Sequence, residues 1–211
     1  MDPVVALLSI TGAMIVGAIS PGPSFVFVVR TSLATTRRDG VAAAFGMGIG
    51  AVIFASLALL GLRAVLTQVL WFYIGFKVLG GLYLLYLAYR LWRGAKTPLA
   101  MVAPEHRNAI GLARSFGMAL ATQLSNPKAV VVIGSIFAAL LPAHVPVWMY
   151  FAIPPIIMTT ETSWYTIVAV AVSAERPRAV YSRWKASIDR LAGTVMGALG
   201  LRLLADVGTA I

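Results

Sequence analysis

Apolar residues in this chain gather into six long runs, roughly residues 4–29, 41–66, 69–91, 113–141, 148–172 and 188–205, separated by shorter polar stretches. Each run reaches the about 20 mostly apolar residues that a helix needs to cross a bilayer. The pattern predicts an all-α integral membrane protein of six transmembrane helices. Six spans nearly exhaust the chain, so residues 1–211 form a single membrane domain with no separate soluble part. The longest polar stretch, 93–112, holds Pro98, Pro104, Glu105, His106 and Arg107. It reads as a flexible linker between two halves, residues 1–92 and 113–211.

Composition supports the same solvent. Apolar residues make up 60% of the chain and charged residues 11%, with a mean hydropathy of +0.88. Soluble domains are about 45–50% apolar and about 25% charged, so this chain has too few polar residues to cover a surface in water. The N-terminal Met1-Asp2-Pro3-Val4 has no basic residue ahead of its apolar run, so the first segment is expected to be retained rather than cleaved. No lipidation motif is visible.

The net charge of +10 raises nucleic acid as a partner. Its distribution argues for no nucleic acid, because the basic residues sit in clusters between apolar runs rather than along one face. They are better explained by the lipid bilayer and topology. Arg30, Arg37 and Arg38 follow the first run, and only Arg63 lies near the second loop. Arg90, Arg93, Lys96, Arg107 and Arg114 surround the third loop; loop 142–147 has none; Arg176, Arg178, Arg183 and Lys185 fill the fifth. Basic loops stay in the cytoplasm. Loops one, three and five are therefore inside, and both termini are periplasmic. Trp71, Tyr73, Trp148 and Tyr150 mark the outer interface, and Tyr89, Trp92, Tyr181 and Trp184 the inner one.

Two runs are interrupted. Ser20-Pro21-Gly22-Pro23-Ser24 breaks the first and Ser125-Asn126-Pro127-Lys128 breaks the fourth. These are the first spans of two sets of three, and an odd set reverses orientation, which makes a 3+3 inverted repeat. Paired interruptions at matching places in two halves point to a transporter's binding site. A lone proline is as often a kink in a packed helix; two matched breaks, one doubled, favour a site. Pro21 would free the carbonyl of Gly17, Pro23 that of Ile19 and Pro127 that of Gln123, because proline displaces the carbonyl four residues earlier. Bare carbonyls survive in a membrane only where protein, water or substrate supplies partners. Each break also starts a half-helix whose N-terminus is positive. A zwitterion matches both ends. The candidate substrate-binding residues are thus Ser20, Pro21, Gly22, Pro23, Ser125, Asn126, Pro127 and Lys128. At about 1.5 Å per residue, Pro21 lies about 25 Å into its span and Pro127 about 21 Å into its own, so the two breaks need not share a level.

At these residues the sequence resembles the LysE/RhtB family of bacterial amino-acid exporters. The resemblance runs through Pro21-Gly22-Pro23, Arg37-Arg38-Asp39-Gly40, Gly46-Met47-Gly48-Ile49-Gly50, Lys77-Val78-Leu79-Gly80-Gly81-Leu82-Tyr83-Leu84, Asn126-Pro127-Lys128, and Gly193, Gly197 and Gly200, in order along the whole chain. It implies a multi-pass protein of the bacterial inner membrane that exports amino acids or close derivatives, with the proton gradient as driving force. One departure stands out: where such proteins often carry an aspartate after the second-span glycines, this chain has Ala51.

Glu161 lies near the middle of the fifth run within Thr159-Thr160-Glu161-Thr162-Ser163. Charged residues at that depth usually face the bundle interior and serve function. It is the candidate proton-coupling residue; the alternative is a structural pair with Lys77 or Lys128. Pro154-Pro155 beside it is expected to bend the span. Lys77 reads as structural, with a stem long enough to snorkel. Gly46 with Gly50, and Gly193 with Gly197, read as packing glycines, and leucine at Gly75 or Gly200 is expected to act through stability.

Other functions fit less well. An exporter or channel for an inorganic ion is weakened by the absence of cysteine and of intramembrane histidine; His106 and His144 lie in loops and make no metal-ligand spacing. The expectation is no metal and no cofactor. An intramembrane enzyme would need more than one acid–base candidate, so no catalytic residues are assigned. Transport driven by ATP lacks a phosphate-binding loop. The chain's small size suits assembly as a homodimer.

Overall fold

The computed structural model describes residues 2–20, 22–68, 70–96, 109–142, 144–171 and 175–208; for residues 62–68, 70–73, 76, 127, 175–182 and 208 the description is of the backbone. The described residues form eight α-helices and no strand: α1 (Pro3–Ile19), α2 (Pro23–Ala34), α3 (Arg37–Gln68), α4 (Leu70–Gly94), α5 (Leu112–Leu124), α6 (Pro127–Leu140), α7 (Val147–Ala171) and α8 (Glu175–Gly208). The first and fourth apolar runs are each two helices. α1 and α2 meet at 54°, and α5 meets α6 at 59°.

The prolines explain the breaks. Proline is suited to the first position of a helix, where its missing N–H would be unpaired anyway. Pro3, Pro23 and Pro127 each open a helix. Asp2 caps α1, its Oδ1 accepting from the Val4 and Val5 N–H groups at 2.8 and 3.2 Å. Asn126 caps α6 in the same way, accepting from the Lys128 N–H at 3.0 Å. Pro154 and Pro155, by contrast, sit inside an unbroken α7. There the carbonyl of Pro155 takes a 2.8 Å bond from the Thr159 hydroxyl.

By length and apolarity alone, one continuous described helix, Arg37–Gly61, can cross a membrane, and the two bent pairs each qualify when taken together. α7 falls short because its middle is Thr159-Thr160-Glu161-Thr162-Ser163. The polarity is turned inward. Glu161, Asp39, Lys77, Lys185 and Asp189 are all buried, while Leu8, Leu79 and Phe151 are about two-thirds exposed or more. Charged groups inside and large apolar groups outside is the arrangement that lipid selects.

α3 lies between α5 and α7, and α4 packs along α8. Glycines set both contacts. A Cβ on Gly46 would stand 2.4 Å from the Phe116 carbonyl oxygen on α5. One on Gly200 would stand 2.8 Å from the Gly81 carbonyl, and one on Gly81 3.0 Å from the Gly200 carbonyl. Gly75 has open space around it. The expectation that leucine destabilises both Gly75 and Gly200 therefore divides. Gly200→Leu is expected to cost about 1–3 kcal/mol or more and to lower the amount of folded protein, because backbone must move. Gly75→Leu is expected to leave the thermal midpoint unchanged. Melting curves of the two purified variants check this.

Two tertiary ties escape simple pattern reading. The Arg37-Arg38-Asp39-Gly40 stretch is a cornerstone of packing. Asp39 and Thr36 form a reciprocal cap on α3: the Thr36 hydroxyl donates to Asp39 Oδ2 at 2.7 Å and accepts from the Asp39 N–H at 3.1 Å. The other oxygen of Asp39 accepts from Ser115 on α5 at 3.2 Å. Lys185, expected in a loop, belongs to α8, which starts well before the apolar run does. Its ammonium is buried against Asp189 at 2.6 Å and the Gly94 carbonyl at 3.2 Å, tying α8 to the end of α4. Lys77 does not snorkel free. It is buried and pairs with Asp206 of α8 at 3.7 Å.

Of the interfacial aromatics, Tyr89, Trp92, Trp148 and Trp184 are well exposed, as headgroup anchors should be. Trp71, Tyr73 and Tyr181 have side chains outside the described set, as does most of the 93–112 linker.

Candidate functional site

The two helix breaks meet. A cavity of about 40 Å³, room for a few water molecules, lies where α1, α2, α5, α6 and α7 converge. It sits at the junction of the two apolar clusters, with Met14 and Ile133 from one and Tyr165 from the other in its wall. That volume is well below ordinary small-molecule sites, about 300–1,000 Å³, so a ligand enters only when the groups around the cavity move aside. The breaks were not required to share a level, and here they lie side by side. Rise along a helix measures depth only if the helix is straight and upright, and the two spans bend by 54° and 59°.

Ser20, Gly22, Asn126, Lys128 and Glu161 all line this cavity. Pro23 and Ser125 are exposed and lie outside its lining; Pro127 starts α6; Pro21 lies outside the described residues. Sequence reasoning missed Ser24, Gln123 and Tyr165 as members of the site. Each had a signal: Ser24 ends the first interruption, Gln123 lies four residues before Pro127, and Tyr165 is one helical turn beyond Glu161.

A chain of buried polar groups joins the two breaks. Asn126 Nδ2 donates to Ser24 Oγ at 2.8 Å, and Ser24 Oγ donates in turn to Gln123 Oε1. The Tyr165 hydroxyl is also within hydrogen-bonding reach of Ser24. Asn126 thus uses both ends of its amide, the oxygen to cap α6 and the nitrogen to hold α2.

Lys128 reaches from the start of α6 to the end of α1. Its ammonium donates to the Ser20 carbonyl at 2.8 Å, to the Ser20 hydroxyl at 3.1 Å and to the Gly17 carbonyl at 3.5 Å. The Gly17 carbonyl is the group that Pro21 was expected to free. The Gln123 carbonyl, freed by Pro127, instead accepts from the Asn126 N–H at 3.1 Å. Glycine at position 22 makes room for the lysine stem, since a Cβ there would stand 3.0 Å from Lys128 Cδ.

Glu161 is buried on the face of α7 that carries Ile153, Ile157 and Tyr165. It attracts Lys128 across the cavity, as does Asp189, but neither carboxylate pairs with it within 4.0 Å. Lys77 is engaged elsewhere, with Asp206. Ala51 is fully buried in the apolar cluster and is not part of the cavity wall.

The end of α1 offers carbonyls to a cation, and the start of α2 offers a positive helix end to an anion. Comparison with known proteins points the same way. The threonine efflux protein of Escherichia coli (strain K12) is 33% identical over 201 residues, covering 94% of this chain and 98% of that protein. The threonine efflux protein of Salmonella typhi is 35% identical over 205 residues, with 94% and 98% covered. The leucine efflux protein of Salmonella choleraesuis is 31% identical over 128 residues, or 60% of this chain and 58% of that one. No solved structure matches. The LysE type translocator family matches residues 15–207, and the chain belongs to that family of membrane transporters, which are not enzymes.

Proposed function

We propose that this protein exports a small amino acid or amino-acid derivative across the bacterial inner membrane in exchange for protons. The observation that carries the proposal is the shared cavity of the two broken helices, which places helix-end carbonyls, a half-helix N-terminus and one buried carboxylate around a single space. The relatives named for threonine and leucine efflux supply the substrate class. Ser20, Gly22, Asn126 and Lys128 then form the wall of the substrate site, Pro21, Pro23, Ser125 and Pro127 shape the breaks, and Glu161 carries the proton. Moving a neutral zwitterion shifts no net charge, so each proton that enters drives export through both the pH gradient and the potential.

In this reading α1–α2, α3 and α4 are the first three of six spans, and α5–α6, α7 and α8 the inverted second three, joined by the cytoplasmic linker. The packing of α3 on α7 and of α4 on α8 supports a repeat, since each pair joins corresponding elements of the two halves. The loop charges support periplasmic termini. Reporter fusions at residue 211 and within residues 96–107 are expected to report opposite compartments, and one compartment for both would defeat the repeat.

The test of function is transport in vesicles. Everted membranes carrying the protein, energised to an acid interior, should accumulate labelled threonine, and collapse of the proton gradient should release it. Accumulation indifferent to the gradient would remove the coupling; no movement of any amino acid would remove the substrate class.

A further inference from the structure

Three buried or half-buried lysines of the described residues are held in two different ways. Lys185 is fixed by Asp189 at 2.6 Å and Lys77 pairs with Asp206 at 3.7 Å, each a cation matched by a carboxylate. Lys128 has two carboxylates, Glu161 and Asp189, close enough to attract it, yet its ammonium is bonded to neutral oxygens. An ammonium carries three donors, and here three acceptors meet them: the Ser20 carbonyl, the Ser20 hydroxyl and the Gly17 carbonyl. These groups stand at the C-terminal end of α1, where the helix dipole is negative. They form a complete socket for a primary ammonium, and they open on the cavity.

We infer that the Lys128 ammonium is a tethered occupant of the subsite for the substrate's own amino group, and that an incoming primary amine displaces it. The exchange is balanced in charge, one ammonium for another, so the carbonyls of α1 are never left bare in the membrane interior. The displaced lysine has a destination. Glu161 lines the same cavity and already attracts it, and Lys128 becomes the counter-charge of an ionised Glu161 when the substrate is seated. Gly22 permits this movement, because the lysine stem passes over the place where a side chain would be. The identity of the natural amine rests on the export reading; the socket itself rests on the geometry of α1 and Lys128.

A resident competitor lowers apparent affinity by the fraction of time the socket is empty. Removing it should therefore tighten binding of simple amines. The probe is ethylammonium chloride, titrated against the purified full-length protein at constant ionic strength, with ethanol as the uncharged control and the thermal midpoint as readout. Lys128→Gln and Lys128→Met are each expected to show saturable stabilisation at an at least about tenfold lower ethylammonium concentration than the unmodified protein. Ethanol should do nothing in either. Folded variants with no amine-specific stabilisation, or with the same response as the unmodified protein, would overturn the inference. A second measurement stands if both variants fail to fold. In unmodified protein labelled with 15N at the lysine Nζ atoms, ethylammonium and L-threonine should each shift the Lys128 signal saturably, and an unmoved signal would overturn the inference equally. Amine-specific stabilisation without transport of any amino acid would keep the socket and sink the export reading. Transport without any effect of Lys128 on amine binding would do the reverse.

Discussion

Glu161→Gln is expected to abolish accumulation against a gradient while leaving downhill exchange of substrate across the membrane. Glutamine has nearly the size of glutamate, so the wall of the cavity and the packing of α7 persist. What disappears is the carboxylate that lines the cavity. Without it the transporter has no carboxylate there to load with a proton when the substrate leaves, so substrate movement and proton movement come apart. Gradient-driven export should fall to the background of empty vesicles, while counterflow of labelled substrate against unlabelled substrate continues. The alternative role, a structural counter-ion for lysine, predicts the opposite balance: reduced protein level and lost stability. Among the described residues Glu161 makes no ion pair, and Lys77 and Lys185 are matched by other carboxylates, so a stability loss from glutamine should be small.

Glu161→Asp provides the graded control. The acid remains but sits about one methylene further from the cavity, so export should be slower yet still follow the gradient. Export by Glu161→Gln at the unmodified rate, with the same dependence on the gradient, would remove Glu161 from the coupling step.

How much of this was legible in the sequence depends on which force set each feature. The helix breaks were legible because proline acts locally: Pro23 and Pro127 open new helices wherever the rest of the chain goes. The packing glycines were partly legible. Gly46 and Gly200 would meet backbone at 2.4 and 2.8 Å and Gly75 meets nothing, a difference that depends on which helix lies opposite and not on spacing. Glu161 stood out because a carboxylate in an apolar run is costly. Gln123, Ser24 and Tyr165 did not, because a polar side chain acquires meaning from its partner, and Ser24 and Gln123 find each other across 99 positions, from one half of the chain to the other. The charged residues of α8 were hidden for a related reason. Lys185 and Asp189 cancel each other one turn apart, so the helix extends well beyond its apolar run. That the two breaks lie side by side was not legible, because a one-dimensional count of rise ignores tilt.

Asn126 gives the sharpest separation between holding the fold and holding the site. Its oxygen caps α6, its nitrogen donates to Ser24, and Ser24 passes the connection to Gln123. Asn126→Ala removes both functions. The lost cap costs about 0.5–2 kcal/mol, and leaving Ser24 with one partner fewer in a buried site costs about 1–3 kcal/mol more. The thermal midpoint should fall and export with it. Asn126→Asp separates the two effects. Aspartate is as good a helix cap as asparagine, so α6 should keep its start. An ionised aspartate donates no hydrogen bond, however, so Ser24 must turn its single proton either to the new carboxylate or to Gln123 and release the other. The substitution also sets a negative charge beside the Lys128 backbone, where the ammonium finds a carboxylate partner it otherwise lacks. Asn126→Asp keeps the cap and is therefore expected to melt above Asn126→Ala yet to export at least about tenfold more slowly than the unmodified protein, a rise of about 1.4 kcal/mol or more in the transport barrier. Loss of stability and export together in Asn126→Ala, with both retained in Asn126→Asp, would reduce Asn126 to a structural cap. Export at the unmodified rate by Asn126→Asp would show that the polar chain between the two breaks plays no part in transport.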